Sequence, residues 1–439
     1  MDELDLMLID RRLRRVAEAW VRSRRALRRA PERAADPFAF HEIVSRVGYE
    51  RVRDLPEHDP LRQPVLRWLY RLVDDKACAP LTQARAAVRV LVRHPIERPE
   101  RGELSLAQLA KRALLQDPRS RYYLDEFLLR AEPLAELGQQ IWLRRLEVAQ
   151  RLGFASPDDL ELPEPGVYRV AEAWLELTDD RAAEFRSRDF AELLTTSMGF
   201  EAHAGIPSHL NGSSLAELFR ETALFDSLPL DPGPWPSPLG PASFLRALAR
   251  LGAAFVSALA PKDQPFVVAH DAYGLRRFEH GALLSLLSAE RPFLARALRL
   301  GAGTASDHQR VFGRVLLLES RARAARLLLR RGALAGESAF RDAFEELTLR
   351  LVGVPLPRAS AGALYLPRAD EAQRFAGALV AASRADELCE AHDEDWYRNP
   401  RAVDQLRAEA ELPPSIGLTA ERLERGSEAL RARLFALLG

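Results

Sequence analysis

Lysine is nearly missing from this chain: of 63 basic residues only Lys76, Lys111 and Lys262 are not arginine. With so much alanine and leucine, that usage reads as a GC-rich bacterial genome, not as a binding adaptation. Net charge is missing as well. The 63 acidic residues balance the 63 basic ones, so no global field gathers nucleic acid or an anionic membrane. The two cysteines, Cys78 and Cys389, are too far apart in sequence to suggest a disulfide framework or a zinc knuckle. No uncharged apolar run approaches the roughly 18 residues of a membrane span, residues 251–260 being one of the longest. The opening MDELDLMLIDRR is acidic before it is basic and lacks the apolar core of a signal peptide. These absences point to a cytoplasmic protein whose partners are neither nucleic acid nor membrane. Nucleophile elbows, phosphate loops and dinucleotide fingerprints are also lacking. Gly301-Ala302-Gly303 has no strand before it and no third glycine after it, and reads as an interhelical turn.

What is present is helical periodicity. The chain has 439 residues, 47% of them hydrophobic, enough for two to three structural units or one large helical domain. Ile9, Leu13, Val16 and Trp20 repeat at helical spacing, and similar stripes recur at 65–72, 104–115, 123–137 and 141–152. Gly153 ends a helix, and Ser156-Pro157 opens the next element. Residues 1–165 read as one helical region and 166–439 as a second, interrupted by a loop at 229–241 that carries six prolines. Two short segments look extended: PFVVAH at 265–270 and the VPLP…LYLP stretch at 354–367. The expected class is therefore mainly α, with at most a small hairpin or sheet, placed near residue 270.

Between Arg11 and Arg33 ten arginines face two glutamates. Such a helix could meet a polyanion, but almost no aromatics interleave it, and it reads better as the solvated face of an amphipathic helix. The C-terminal DEDWYRNPRAVDQLRAEAELP holds Trp396, Tyr397 and Arg398 before Asn399-Pro400. It reads as a packed turn entering a helix, in preference to a recognition surface.

The informative region is 269–287 with 308–329. Leu275, Phe278, Ala282 and Leu286 form an apolar stripe, while Arg276, Arg277 and His280 occupy another arc of the same helix, suggesting a lined cleft. Glu319 follows four apolar residues, an unusual place for a carboxylate unless it is paired. The bland alternatives are a core histidine bonded to a carbonyl and a local Glu319–Arg323 pair.

Two passages here carry a family resemblance. RRLEVAQRLGFASPDDL, residues 144–160, resembles a passage common in helical zincin peptidases of the thimet oligopeptidase and oligoendopeptidase F type. LRRFEHGALL is similar to their metal-binding H-E-F-G-H-A-L. In that register Arg276 stands where the first histidine belongs, Arg277 where the catalytic glutamate belongs, and His280 at the second histidine. LESRARA, with Glu319, Ser320 and Arg321, resembles the downstream passage that supplies the zinc-binding glutamate, at a longer interval than usual. The resemblance implies a two-lobed helical fold with a central cleft. It also implies that the catalytic constellation is lost. A catalytic zinc needs three protein ligands, and arginine neither binds it nor accepts a proton from its water.

The expectation is a pseudopeptidase with no metal or other cofactor, whose remnant cleft of Arg276, Arg277, His280 and Glu319 binds a peptide or protein. The alternatives are an enzyme with a repurposed cleft and an unrelated helical scaffold subunit. Arg276 or Arg277 is expected to bridge to Glu319 across the former metal site. A different metal set drawn from His270, Asp271, His280 and His308 stays open, with spacings that match no known single-helix site.

Overall fold

The protein is described here by a computed structural model. It covers residues 5–28, 30–39, 41–95, 102–113, 119–184, 206, 210–226, 228, 230, 239–353, 355–356, 358–365, 367–412 and 418–439. Most of the proline-rich loop lies outside these residues.

The mainly α expectation holds. α1 (Leu6–Leu27) opens under an Asp5 cap, and Ile9, Leu13 and Val16 are buried as their spacing required, with Trp20 partly so. α2 (Arg46–Arg53), α3 (Arg62–Val90) and the C-terminal end of α6 (Glu132–Arg151) close an apolar cluster around that stripe. Between them α4 (Leu106–Ala113) and α5 (Ser120–Leu129) build a small satellite core. α7 (Asp158–Glu161) and α8 (Val167–Glu184) follow, after Gly153 has ended α6 in a left-handed turn. α6 serves all three cores, giving Val148 and Ala149 to the first, Leu134 to the satellite and Trp142 to the larger one.

That larger core gathers α9 (Gly212–Arg220), α10 (Pro241–Leu259), α12 (Leu275–Leu286), α13 (Ala302–Ala335), α14 (Glu337–Val352), α16 (Glu371–His392), α17 (Pro400–Glu411) and α18 (Ala420–Leu438). Four of these helices form a row, α10 on α12 on α16 on α18, with backbones in contact. A Cβ on Gly252 of α10 would lie 2.2 Å from the carbonyl oxygen of His280 in α12. Gly377 of α16 meets Phe278 and Glu279 in the same way, and Gly426 of α18 meets Leu379. By length and composition α10 is the one helix, among the described residues, that could cross a membrane; most of it is buried in this row.

Two local expectations are corrected. PFVVAH is not extended: Phe266–Ala269 is a single helical turn, α11, because the Asp10 carboxylate of α1 accepts from the amides of Phe266 (3.1 Å) and Val267 (2.8 Å). Within 354–367 the described residues form a 3₁₀ turn, Arg358–Ser360, and α15 (Ala361–Leu364). Gly362 tucks that turn against the backbone of Ala131 and Ala135, where a Cβ would not fit. The only sheet among the described residues is a hairpin pairing Arg93–Pro95 with Glu103–Ser105, far in sequence from residue 270. Trp396 and Tyr397 are buried, and Asn399 caps α17 with Pro400 at its first position, a packed helix entry.

Candidate functional site

The site is built where α12 passes between α10, α13 and α16. Asp271 starts α12: its carboxylate accepts from the amides of Tyr273 (3.1 Å) and Leu275 (3.0 Å), and Gly274 takes the left-handed turn between them. At 3.6 residues per turn, Phe278, Ala282 and Ser285 fall within about 60° of one another on one side of α12. Arg276 and His280 fall roughly 120–180° away, on the other side.

The two sides meet different surroundings. Ala282 and Ser285 line a cavity of about 30 Å³ together with Glu319, Ser320 and Arg323 of α13, room for about one water. Phe278 lies under the Arg374 guanidinium of α16, 4.2 Å from the ring centre. On the far side, Arg276 donates to the Leu412 carbonyl after α17. His280 is buried against Phe255 of α10, with Nδ1 3.1 Å from the Arg276 carbonyl. Burial removes the solvent that would stabilise its charged form and pulls the imidazole down to about 4, so it is neutral at pH 7. Arg277 points to solvent near Arg374, Asp370 and Asp271.

The expected bridge from Arg276 or Arg277 to Glu319 therefore does not form. Glu319 pairs instead with Arg246 of α10 at 2.8 Å and is surrounded further by Arg323 and Arg326. Burial alone would raise its carboxyl; the three guanidiniums more than offset this and hold it at about 2. Nor is it the exposed local pair that served as the rival, since the side chain is only 16% exposed.

The other histidines are placed structurally. His308 is fully buried, with Nε2 3.0 Å from the Ser288 carbonyl and its ring stacked on Phe312. His270 packs on Phe266, and its carbonyl accepts from Trp68 Nε1. Among the described residues, no three His, Cys, Asp or Glu side chains are placed to hold a metal ion.

Sequence reasoning missed Arg246, Arg374 and Glu279. Glu279 is nearly buried and accepts from Arg422 of α18 at 3.1 Å. Burial raises its carboxyl, and Arg422 opposes this. Its signal was present, a carboxylate inside an apolar helix. Arg246 had none, being one of many arginines on helix faces.

No protein-family model matches the chain, and no curated protein matches its sequence. Among solved structures the chain is similar to Trypanosoma cruzi metallocarboxypeptidase 1, at 14% identity and a TM-score of 0.51. The match covers 99% of this chain and 98% of that one. At that identity the likeness is one of fold: the chain is folded like a peptidase over nearly its whole length.

Proposed function

We propose that this protein binds a peptide or protein segment in a peptidase-like cleft and does not hydrolyse it by zinc chemistry. The observation that carries the reading is what stands around Glu319. Read two residues later than the register of Arg276, the H-E-F-G-H motif falls on Phe278-Glu279-His280-Gly281-Ala282. Phe278 and Ala282 then take the two histidine positions, on the side of α12 that faces Arg374 and Glu319. Neither can ligate a metal. Glu319, in the place of a third ligand, is occupied by Arg246 and hemmed by Arg323. Glu279, in the place of the base, is tied to Arg422.

These residues do not fit a zinc ion, which needs three neutral or anionic donors and an open position. On this reading the scaffold has retained its helices while exchanging ligands for phenylalanine, alanine and guanidinium, and would bind a segment without the reaction. Metal analysis of purified protein, run beside a quenched fluorescent peptide assay, tests this. The expected result is no stoichiometric zinc and no metal-dependent cleavage. About one tightly held zinc per chain, lost in Glu319→Gln or His280→Ala together with cleavage, overturns it.

A further inference from the structure

We propose that the cavity between α12, α13 and α18 binds one free aliphatic α-amino acid, its side chain on leucines, its ammonium at Glu290 and its carboxylate at Arg291. The inference does not depend on the peptide-binding reading above.

The cavity has a volume of about 300 Å³ and is open to solvent, with Arg291 and Ala436 exposed at its rim. At the roughly 30 Å³ that a water occupies, this is room for about ten non-hydrogen atoms. A nucleotide or a long acyl chain is too large. Five leucines line the space: Leu286 at the end of α12, Leu316 of α13, and Leu430, Leu434 and Leu437 of α18. The last three stand on one face of α18 because they are spaced by four and three residues. Leu316 and Leu437 are only half-buried, so apolar surface is left for a ligand to cover. None of the described residues lining the cavity is aromatic, which suits an aliphatic side chain better than a planar ring.

The polar side follows the 3₁₀ turn Leu287–Ala289, which delivers Glu290 and Arg291 to the cavity. Charge is divided unevenly there. One guanidinium, that of Arg433 in α18, serves two carboxylates: it donates to Glu290 and, through Nε at 2.8 Å, to Asp386 of α16. Glu290 gives it one oxygen, and the other has no hydrogen-bond partner among the described residues. Burial raises the Glu290 carboxyl and Arg433 opposes this, while Glu394 and Asp386 add to the rise. A second cation is what this carboxylate lacks.

Arg291 has the opposite lack. Among the described residues it makes no ion pair, and its hydrogen bond runs to a neutral group, from Nε to Gln309 Oε1 at 3.4 Å. Gln309 is held in turn by donating to the Ala289 carbonyl at 2.7 Å. Consecutive residues therefore offer an open carboxylate oxygen and an open guanidinium beside an aliphatic wall. A guanidinium takes a carboxylate by two parallel hydrogen bonds. An α-amino acid carries ammonium, carboxylate and side chain on one carbon and answers all three features. An aliphatic acid or amine answers two, and the end of a peptide brings only one of the two charges. Leu286, Leu316 and Leu430 also line the small space beside Glu319, but the two cavities share no polar residue.

The test titrates the full chain by calorimetry with L-leucine, with isocaproate, which lacks the ammonium, and with isoamylamine, which lacks the carboxylate. Leucine should bind one per chain with a Kd at or below about 1 mM. Each partial ligand should bind at least about 10-fold more weakly, and so should glycine, which has no side chain to bury. Arg291→Gln should bring leucine down to about the level of isoamylamine on the wild type. Ala436→Phe, which fills the cavity from its exposed rim, should abolish leucine binding. Both positions are exposed, so helicity and melting temperature should stay at the wild-type values, and the wild-type ligand series stands apart from the variants. Isocaproate or isoamylamine binding as tightly as leucine overturns the amino-acid assignment. Leucine binding that survives Ala436→Phe overturns the location. The absence of saturable leucine binding by about 10 mM overturns the site itself.

Discussion

Arg330 offers the sharpest test of how the helices of the core are tied together. Its guanidinium is fully buried and reaches three partners: Asp158 (2.5 Å) and Glu161 (2.8 Å) of α7, and the Ala369 carbonyl (3.2 Å) ahead of α16. It also lies over Trp142 of α6 at 5.4 Å. Arg330→Met keeps the aliphatic stem on Trp142 but strips Glu161 of its nearest cation, leaving Arg145 at 4.0 Å. Breaking one side of a buried pair costs about 3–5 kcal/mol.

The loss should depend on pH. Burial pushes the Glu161 carboxyl up to about 7, with Arg330 and then Arg145 pulling the other way. Without Arg330 it rises further. A carboxyl whose folded value exceeds its unfolded one contributes stability that is fully present below the unfolded value, and this is lost as pH rises through the folded value. The gap between wild type and variant should therefore be widest near pH 8 and narrow toward pH 5, where both carboxyls carry a proton. Each unit of extra rise adds about 1.4 kcal/mol at the alkaline end and almost nothing at the acid end. Urea titrations followed by tryptophan fluorescence at pH 5, 6.5 and 8 measure this. A loss below about 1 kcal/mol, or one that is the same at all three pH values, would refute the reasoning.

Two further predictions concern the same helices. Glu319→Gln should cost roughly 2 kcal/mol at pH 7; because the folded carboxyl lies near 2, the deficit appears above the ordinary carboxylate range and closes as pH falls toward 2, readable in acid titrations of stability. Gly252→Ala should destabilise by about 3 kcal/mol or prevent folding, since its Cβ would overlap the His280 carbonyl, whereas Gly138→Ala in α6, with nothing within 4 Å, should gain about 0.5–1 kcal/mol; equal melting temperatures for the two would contradict the packing described.

Local sequence made the helices legible. The Ile9–Leu13–Val16 stripe, the stop at Gly153 and the Asn399-Pro400 entry each depend on neighbours within a turn or two. Features decided at long range were not legible. The β-branched Val267 and Val268 suggest a strand until a carboxylate from Asp10, hundreds of residues earlier, caps them into a turn. Glu319 was recognisable as a carboxylate in need of a partner, yet among so many arginines nothing local distinguishes Arg246 from Arg276. The side of α12 that meets α13 was also misjudged. Arg276 and His280 stood out as polar residues on an apolar helix, while the residues facing Glu319 are the inconspicuous Ala282 and Ser285.

The glycine crossings of the α10–α12–α16–α18 row have a mechanical and an evolutionary consequence. Helices whose main chains touch cannot slip past one another by changing rotamers, so this row moves as a single plate. Outside the row the ties are of another kind: α1 holds α11 through the Asp10 carboxylate, a contact made by one side chain. Such a plate is also held by atoms that every residue possesses. Side chains on its outer faces can be exchanged for others of unlike charge without loosening it, so the wall stays where it is while the chemistry in front of it is free to change.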